Sequence, residues 1–118
     1  MKALIAILLL CFLSACSKQK MAGPASKAQS EVARAVEQAL KNQDVRLYAT
    51  TGRSLVLPGI SGAERSKALA LCGYKLMKGT GDVLKQEKQR GELKKRFAFM
   101  ADYNRRMLAI CRQRKDKT

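Results

Sequence analysis

A chain of 118 residues with 24 basic and 9 acidic side chains, no histidine, no tryptophan and four cysteines has room for one small domain, and that domain is strongly cationic. Without histidine, the nucleophile–imidazole pairs of serine and thiol hydrolases cannot be assembled, and a zinc site would have to rely on thiols and carboxylates. A formal charge of +15 points instead to phosphate-bearing or acidic partners.

Met1 and Lys2 precede an uncharged run, ALIAILLLCF, over residues 3–12, and Leu13, Ser14, Ala15 and Cys16 close it. A positive start, a short apolar run and small residues before a cut are the pattern of an export signal, and the run falls well short of the roughly 20 apolar residues a bilayer span needs. The last four residues resemble the lipobox of bacterial lipoproteins. That resemblance, confined to this segment, implies removal of residues 1–15, a diacylglyceryl thioether on Cys16 and permanent membrane attachment through its acyl chains, palmitate among them. Each buried methylene would contribute about 0.8 kcal/mol. It further implies that Ser17, in place of an aspartate, directs the protein to the outer membrane facing the periplasm, with the inner membrane as the other destination. Loss of Lys2 leaves a mature charge of about +14.

On that reading Cys11 is discarded and Cys16 carries lipid, so Cys72 and Cys111 remain to form one disulfide in an oxidising compartment. Two free thiols or a metal pair are the competing readings, the second short of ligands. Residues 16–25 then form a lipidated N-terminus and flexible tether broken by Gly23 and Pro24, and residues 26–118 a small basic helical domain with a basic tail.

Val32, Val36, Ala39 and Leu40 recur at helical spacing and predict a helix over residues 27–42, with Ser26 or Ser30 as cap. Residues 45–50 alternate apolar and polar side chains. They read either as a strand forming a hairpin with residues 53–57 or as a helical extension followed by a loop. Ser61 and Glu64 form a capping box and start a second helix at Gly62. Gly73 ends it as a left-handed cap, or else the helix continues to Gly79. The cysteines decide between these: a helical hairpin turning at residues 79–81 would leave Cys111 about 30–40 Å from Cys72, far outside disulfide reach. An extended strap over residues 74–85 brings them together. A final helix over residues 86–112, with a weak point at Gly91, places Leu93, Phe97, Met100, Asn104, Met107, Leu108 and Cys111 on one face, widened by Phe99, Tyr103 and Ile110. The expected fold is therefore a mainly α single domain of two to three helices with an extended strap, room for a short hairpin, and one disulfide.

Two features bear on binding. Lys78, Gly79, Thr80 and Gly81, with Lys75 and Lys85 nearby, offer glycines, a hydroxyl and cations in the manner of an anion nest, although a plain tight turn braced by Asp82 explains the same string. Lys94, Lys95, Arg105, Arg106 and Arg112 crowd the polar face of the last helix and lead into the basic tail of residues 112–117, either as a solvated face or as an anion-binding surface. Asn104, polar within the apolar face, is expected to satisfy loop backbone, with residues 79–82 as candidate partner and Tyr103 in the same network. No catalytic set, cofactor or metal is expected. The reading is a non-catalytic accessory lipoprotein that binds anionic lipid, lipopolysaccharide or an envelope assembly. The alternatives are a nucleic-acid-associated lipoprotein of DNA uptake or conjugation, and an inhibitor of a cell-wall enzyme.

Overall fold

The computed structural model describes residues 24–81 and 87–118, so the export signal, Cys16, most of the tether, Asp82 and Lys85 lie outside the described residues. The chain order is α1 (Pro24–Lys41), β1 (Leu47–Ala49), α2 (Gly62–Cys72), β2 (Tyr74–Leu76) and α3 (Glu87–Asp116). The fold is thus mainly α, with three helices among the described residues. α3 is its spine, and α1, α2 and β1 each pack against it.

α1 begins at Pro24, earlier than the serine caps predict. Proline suits a first helical turn because its φ is preset and its missing N–H would have had no partner. Ser30 therefore lies inside the helix, where its hydroxyl donates to the Lys27 carbonyl at 2.9 Å. The helix ends in a Schellman motif: Asp44 N donates to Ala39 O at 2.9 Å and Gln43 N to Leu40 O at 3.0 Å. Gln43 takes the left-handed position, φ 56°, that glycine usually fills. Val32, Val36 and Ala39 form the buried stripe of α1.

α2 starts as its sequence requires. Glu64 N donates to Ser61 Oγ at 3.2 Å, and Ser61 N donates to Glu64 Oε2 at 2.7 Å. Gly73 closes the helix with φ 73° and an N–H to Leu69 O at 2.9 Å, so helix gives way to extended chain at this glycine. β2 follows at once and pairs in parallel with β1, matching Leu47 with Tyr74, Tyr48 with Lys75 and Ala49 with Leu76. This brings Cys72 and Cys111 to a Cα separation of 6.0 Å, and they form the disulfide across 39 residues.

The hairpin of residues 45–57 is reduced to a turn and one antiparallel bridge, Ala49 to Leu55. The chain turns on Arg53, φ 62°, and Thr50 N donates to Ser54 O at 2.9 Å. Pairing goes no further because β1 exchanges its remaining bonds with α3 on that side, as described below. Leu55 and Leu57 still reach the core, joining Leu47, Ala68, Tyr103, Met107 and Leu108.

α3 runs unbroken through Gly91 and on to Asp116. Its buried residues extend only from Met100 to Cys111, so Leu93 and Phe97, expected in the core, are half-buried on turns that project beyond it. The helix also continues through Arg112, Arg114 and Lys115, holding in regular geometry side chains that a frayed tail would scatter.

Candidate functional site

Two charged constellations stand out, one half-buried and one on the surface. The half-buried one begins at the Schellman motif, which delivers Asp44 to the start of β1. There its carboxylate accepts from Arg46 N at 3.1 Å, Arg46 Nε at 2.9 Å and Lys75 Nζ at 3.0 Å. Lys75 Nζ also donates to the Tyr103 hydroxyl at 3.1 Å, and lies 4.6 Å and 5.1 Å from the ring centroids of Tyr48 and Tyr103. The two rings meet edge to face at 4.7 Å, and Phe99 completes the cluster 6.1 Å from each. Sequence reading places Lys75 among the cations near the glycine loop; the structure turns it inward, because its register opposite Tyr48 aims it at the rings and at Asp44.

The side-chain hydrogen bonds from Arg46 do most to hold the Asp44 carboxyl far below the usual carboxylate range; burial opposes them, and the bonds from Lys75 Nζ and Arg46 N, with the charge of Lys75, add to the lowering. Burial works to lower the Lys75 pKa, but its bonds to Tyr103 and Asp44 together outweigh it, and the ammonium titrates above its ordinary value. A protonated amine held on two oxygens and two rings is a structural post rather than a nucleophile.

The sign of the pH effect follows. With its pKa depressed in the fold, Asp44 stabilises the native state fully above the unfolded carboxylate pKa of about 3.9, and progressively less as pH falls below that toward the folded value. Acid titrations followed by circular dichroism are expected to show stability declining below about pH 4, and Asp44→Asn to flatten that limb. A parental slope in the variant would assign acid sensitivity to other carboxylates.

The surface constellation is α3 itself, which carries ten basic and four acidic side chains over 30 residues. At 3.6 residues per turn, Lys94, Arg105 and Arg112 fall within about 20° of one line along the helix, and Lys95 and Arg106 form a second line about 100° away. The two lines span about 27 Å. Lys94, Lys95, Arg105 and Arg112 are exposed and Arg106 is half-buried. Asp102 sits between the lines, pairing with Arg105 at 3.5 Å and Arg106 at 3.2 Å, while Glu92 pairs with Lys95 at 3.4 Å. Surface pairs of this kind contribute roughly 0–1 kcal/mol, so they add little to stability. Among the described residues Lys94 and Arg112 have no ion pair within 4 Å.

The string of Lys78, Gly79, Thr80 and Gly81 is a braced turn. Thr80 Oγ1 donates to Met77 O at 2.7 Å and accepts from Thr51 N at 3.1 Å, so its hydroxyl serves the fold. Arg96 Nη1 donates to Lys78 O at 2.7 Å, and a side chain at Gly79, φ 75°, would collide with that guanidinium. Lys78 is exposed beside this turn.

Asn104 satisfies loop backbone as its position suggests, but among the described residues that backbone is Tyr48 and Val56 rather than Gly79, Thr80 or Gly81. Its amide oxygen accepts from Tyr48 N at 2.7 Å, and its nitrogen donates to Tyr48 O at 2.8 Å and Val56 O at 2.9 Å. It closes the edge of β1 as another strand would, which explains why the hairpin stops. Tyr103 belongs to the Lys75 cluster instead.

A groove of about 390 Å³ runs between α1 and α3, floored by Val32, Ala98 and Phe99 and rimmed by Glu31, Lys95 and Asp102. Among the described residues no group of histidine, cysteine, aspartate or glutamate is placed to hold a metal, and no helix is long and apolar enough to cross a membrane. In comparisons with known proteins, no family model, no curated protein and no solved structure matches this chain.

Proposed function

We propose that this chain is a non-catalytic accessory lipoprotein, held on the membrane through Cys16, whose α3 binds the phosphate-bearing anionic lipids of the envelope. The observation that carries the reading is the pair of cationic lines on one rigid helix. Their spacing is set by the regular geometry of α3, and their base is clamped to the core through Cys111. A helix presenting such lines lies flat on an anionic surface, and each basic residue near that surface contributes about 1 kcal/mol of attraction. The outer-membrane address implied by Ser17 supplies phosphorylated lipid on the same membrane.

The mature chain with Cys16→Ser, mixed with vesicles containing phosphatidylglycerol, is expected to co-sediment at low salt, to be released at high salt, and to ignore vesicles of phosphatidylcholine alone. Lys94→Glu, Arg105→Glu and Arg112→Glu combined are expected to weaken binding by about 100-fold or more, since three attractions of about 1 kcal/mol are lost and replaced by repulsion. All three side chains are exposed, so thermal stability should change little. Equal binding to neutral vesicles would overturn the proposal. So would a clear preference for duplex DNA over vesicles at matched phosphate, which would favour a nucleic-acid role.

A further inference from the structure

Among the described residues β2 is the open edge of the sheet. Gly73 O accepts from Leu47 N at 3.0 Å and Met77 N donates to Ala49 O at 2.8 Å, with Lys75 opposite Tyr48 between them. In a parallel ladder alternate residues of a strand face its neighbour, so the N–H and C=O groups of Tyr74 and Leu76 point outward. No hydrogen bond to these groups is recorded among the described residues. The far edge of β1, in contrast, is closed by Asn104 and by the bridge to Leu55.

The large apolar side chains that remain exposed among the described residues lie within six residues of one another across the α2–β2 junction: Leu71 (37%) near the end of α2, and Tyr74 (38%) and Leu76 (48%) on β2. Natural edge strands are usually guarded by a charge, a proline or a bulge. The one lysine within this strand, Lys75, is drawn inward to Asp44 and Tyr103, which leaves the edge unguarded. Exposed lysines flank the apolar trio instead. Lys67 lies one helical turn before Leu71, and Lys78 lies two residues beyond Leu76, in the turn that follows β2.

We propose that β2 accepts an extended segment of a partner protein as an added strand, with apolar side chains set against Leu71, Tyr74 and Leu76 and acidic residues at its ends facing Lys67 and Lys78. Backbone pairing of this kind supplies affinity, while alternate side chains and end charges supply selectivity. Charge also chooses the occupant. A second copy would bring its own Lys67, Lys78 and overall positive charge to the same contact, whereas an acid-ended strand from another protein neutralises them. β1 lies between β2 and the buried middle of α3, whereas the Lys78 end of this edge meets α3 at Arg96.

The test uses the mature chain with Cys16→Ser, labelled with ¹⁵N, and two capped seven-residue peptides, Glu-Val-Thr-Val-Thr-Val-Glu and the same sequence with lysine at both ends. The acid-ended peptide is expected to shift the amides of Tyr74 and Leu76, to slow their hydrogen exchange about tenfold or more, and to bind about fivefold tighter than the lysine-ended one at low salt. Leu76→Pro removes an outward N–H without breaking the ladder to β1 and should abolish binding. Should that variant fail to fold, Lys67→Glu with Lys78→Glu, both at exposed positions, is expected to reverse the preference between the peptides. Absence of binding at about millimolar peptide, unchanged preference in the lysine variant, or shifts that depend on protein concentration alone, the sign of self-pairing, would overturn the proposal.

Discussion

Replacing Asn104 with alanine is expected to destabilise the domain by about 3 kcal/mol and to lower its melting temperature by more than about 10 °C, the largest effect of any single polar substitution here. The side chain is fully buried and makes three bonds, one accepted and two donated, to the backbone of Tyr48 and Val56. Alanine removes the partners of all three groups at once, and each half-buried group left unpaired costs about 1 kcal/mol or more. Asn104→Asp provides a sharper version. The carboxylate still accepts from Tyr48 N, but it faces two carbonyl oxygens where the amide donated. The aspartate variant should therefore be no more stable than the alanine variant at neutral pH and should recover as acid protonates it. Urea melts of the three proteins across pH decide the matter, and an alanine variant that unfolds with the parent would show that water replaces the amide.

Removal of the disulfide by Cys72→Ala with Cys111→Ala is expected to cost about 4 kcal/mol, the chain-entropy value for closing a loop of some 40 residues. Small domains have about 5–15 kcal/mol in total, so this variant should be marginal near body temperature. The effect should also be local. α2 buries only Ala68 and Cys72, with Leu69 half-buried, so without the crosslink little apolar contact holds it to α3. Hydrogen exchange in the variant is expected to accelerate first across α2 and β2, while the middle of α3 stays protected. Uniform acceleration in every element would mean that α2 is held by packing and that the crosslink acts only on the unfolded chain.

What the sequence made legible was local or covalent. The capping box of Ser61 and Glu64, the helix stop at Gly73 and the stripe on α3 each depend on residues within one or two turns, where propensity and geometry dominate. The cysteine pair became legible through elimination, and it in turn required an extended chain after Gly73. Contacts that join distant segments were not legible. Nothing in the residues announces that β1 pairs in parallel with β2 rather than with residues 53–57, because the deciding partner is an asparagine 56 residues away. Asp44 and Lys75, 31 residues apart, are likewise brought together only by that register. At the candidate site, the cations of α3 could be named in advance, but their order could not. A tail of Arg112, Arg114 and Lys115 reads as frayed until the helix is seen to continue to Asp116.

The placement of Asn104 also sets the order of events in time. A chain emerges N-terminus first, and α1, β1 and α2 all rest on α3, the last element to appear. Until residue 104 arrives, β1 has an edge with no partner, and the apolar faces of α1 and α2 have little to cover them. Early segments must wait because their contacts close long loops, whose entropy is repaid only when both ends are present. The tertiary contacts of such a chain, and the Cys72–Cys111 crosslink with them, are expected to form once α3 is present.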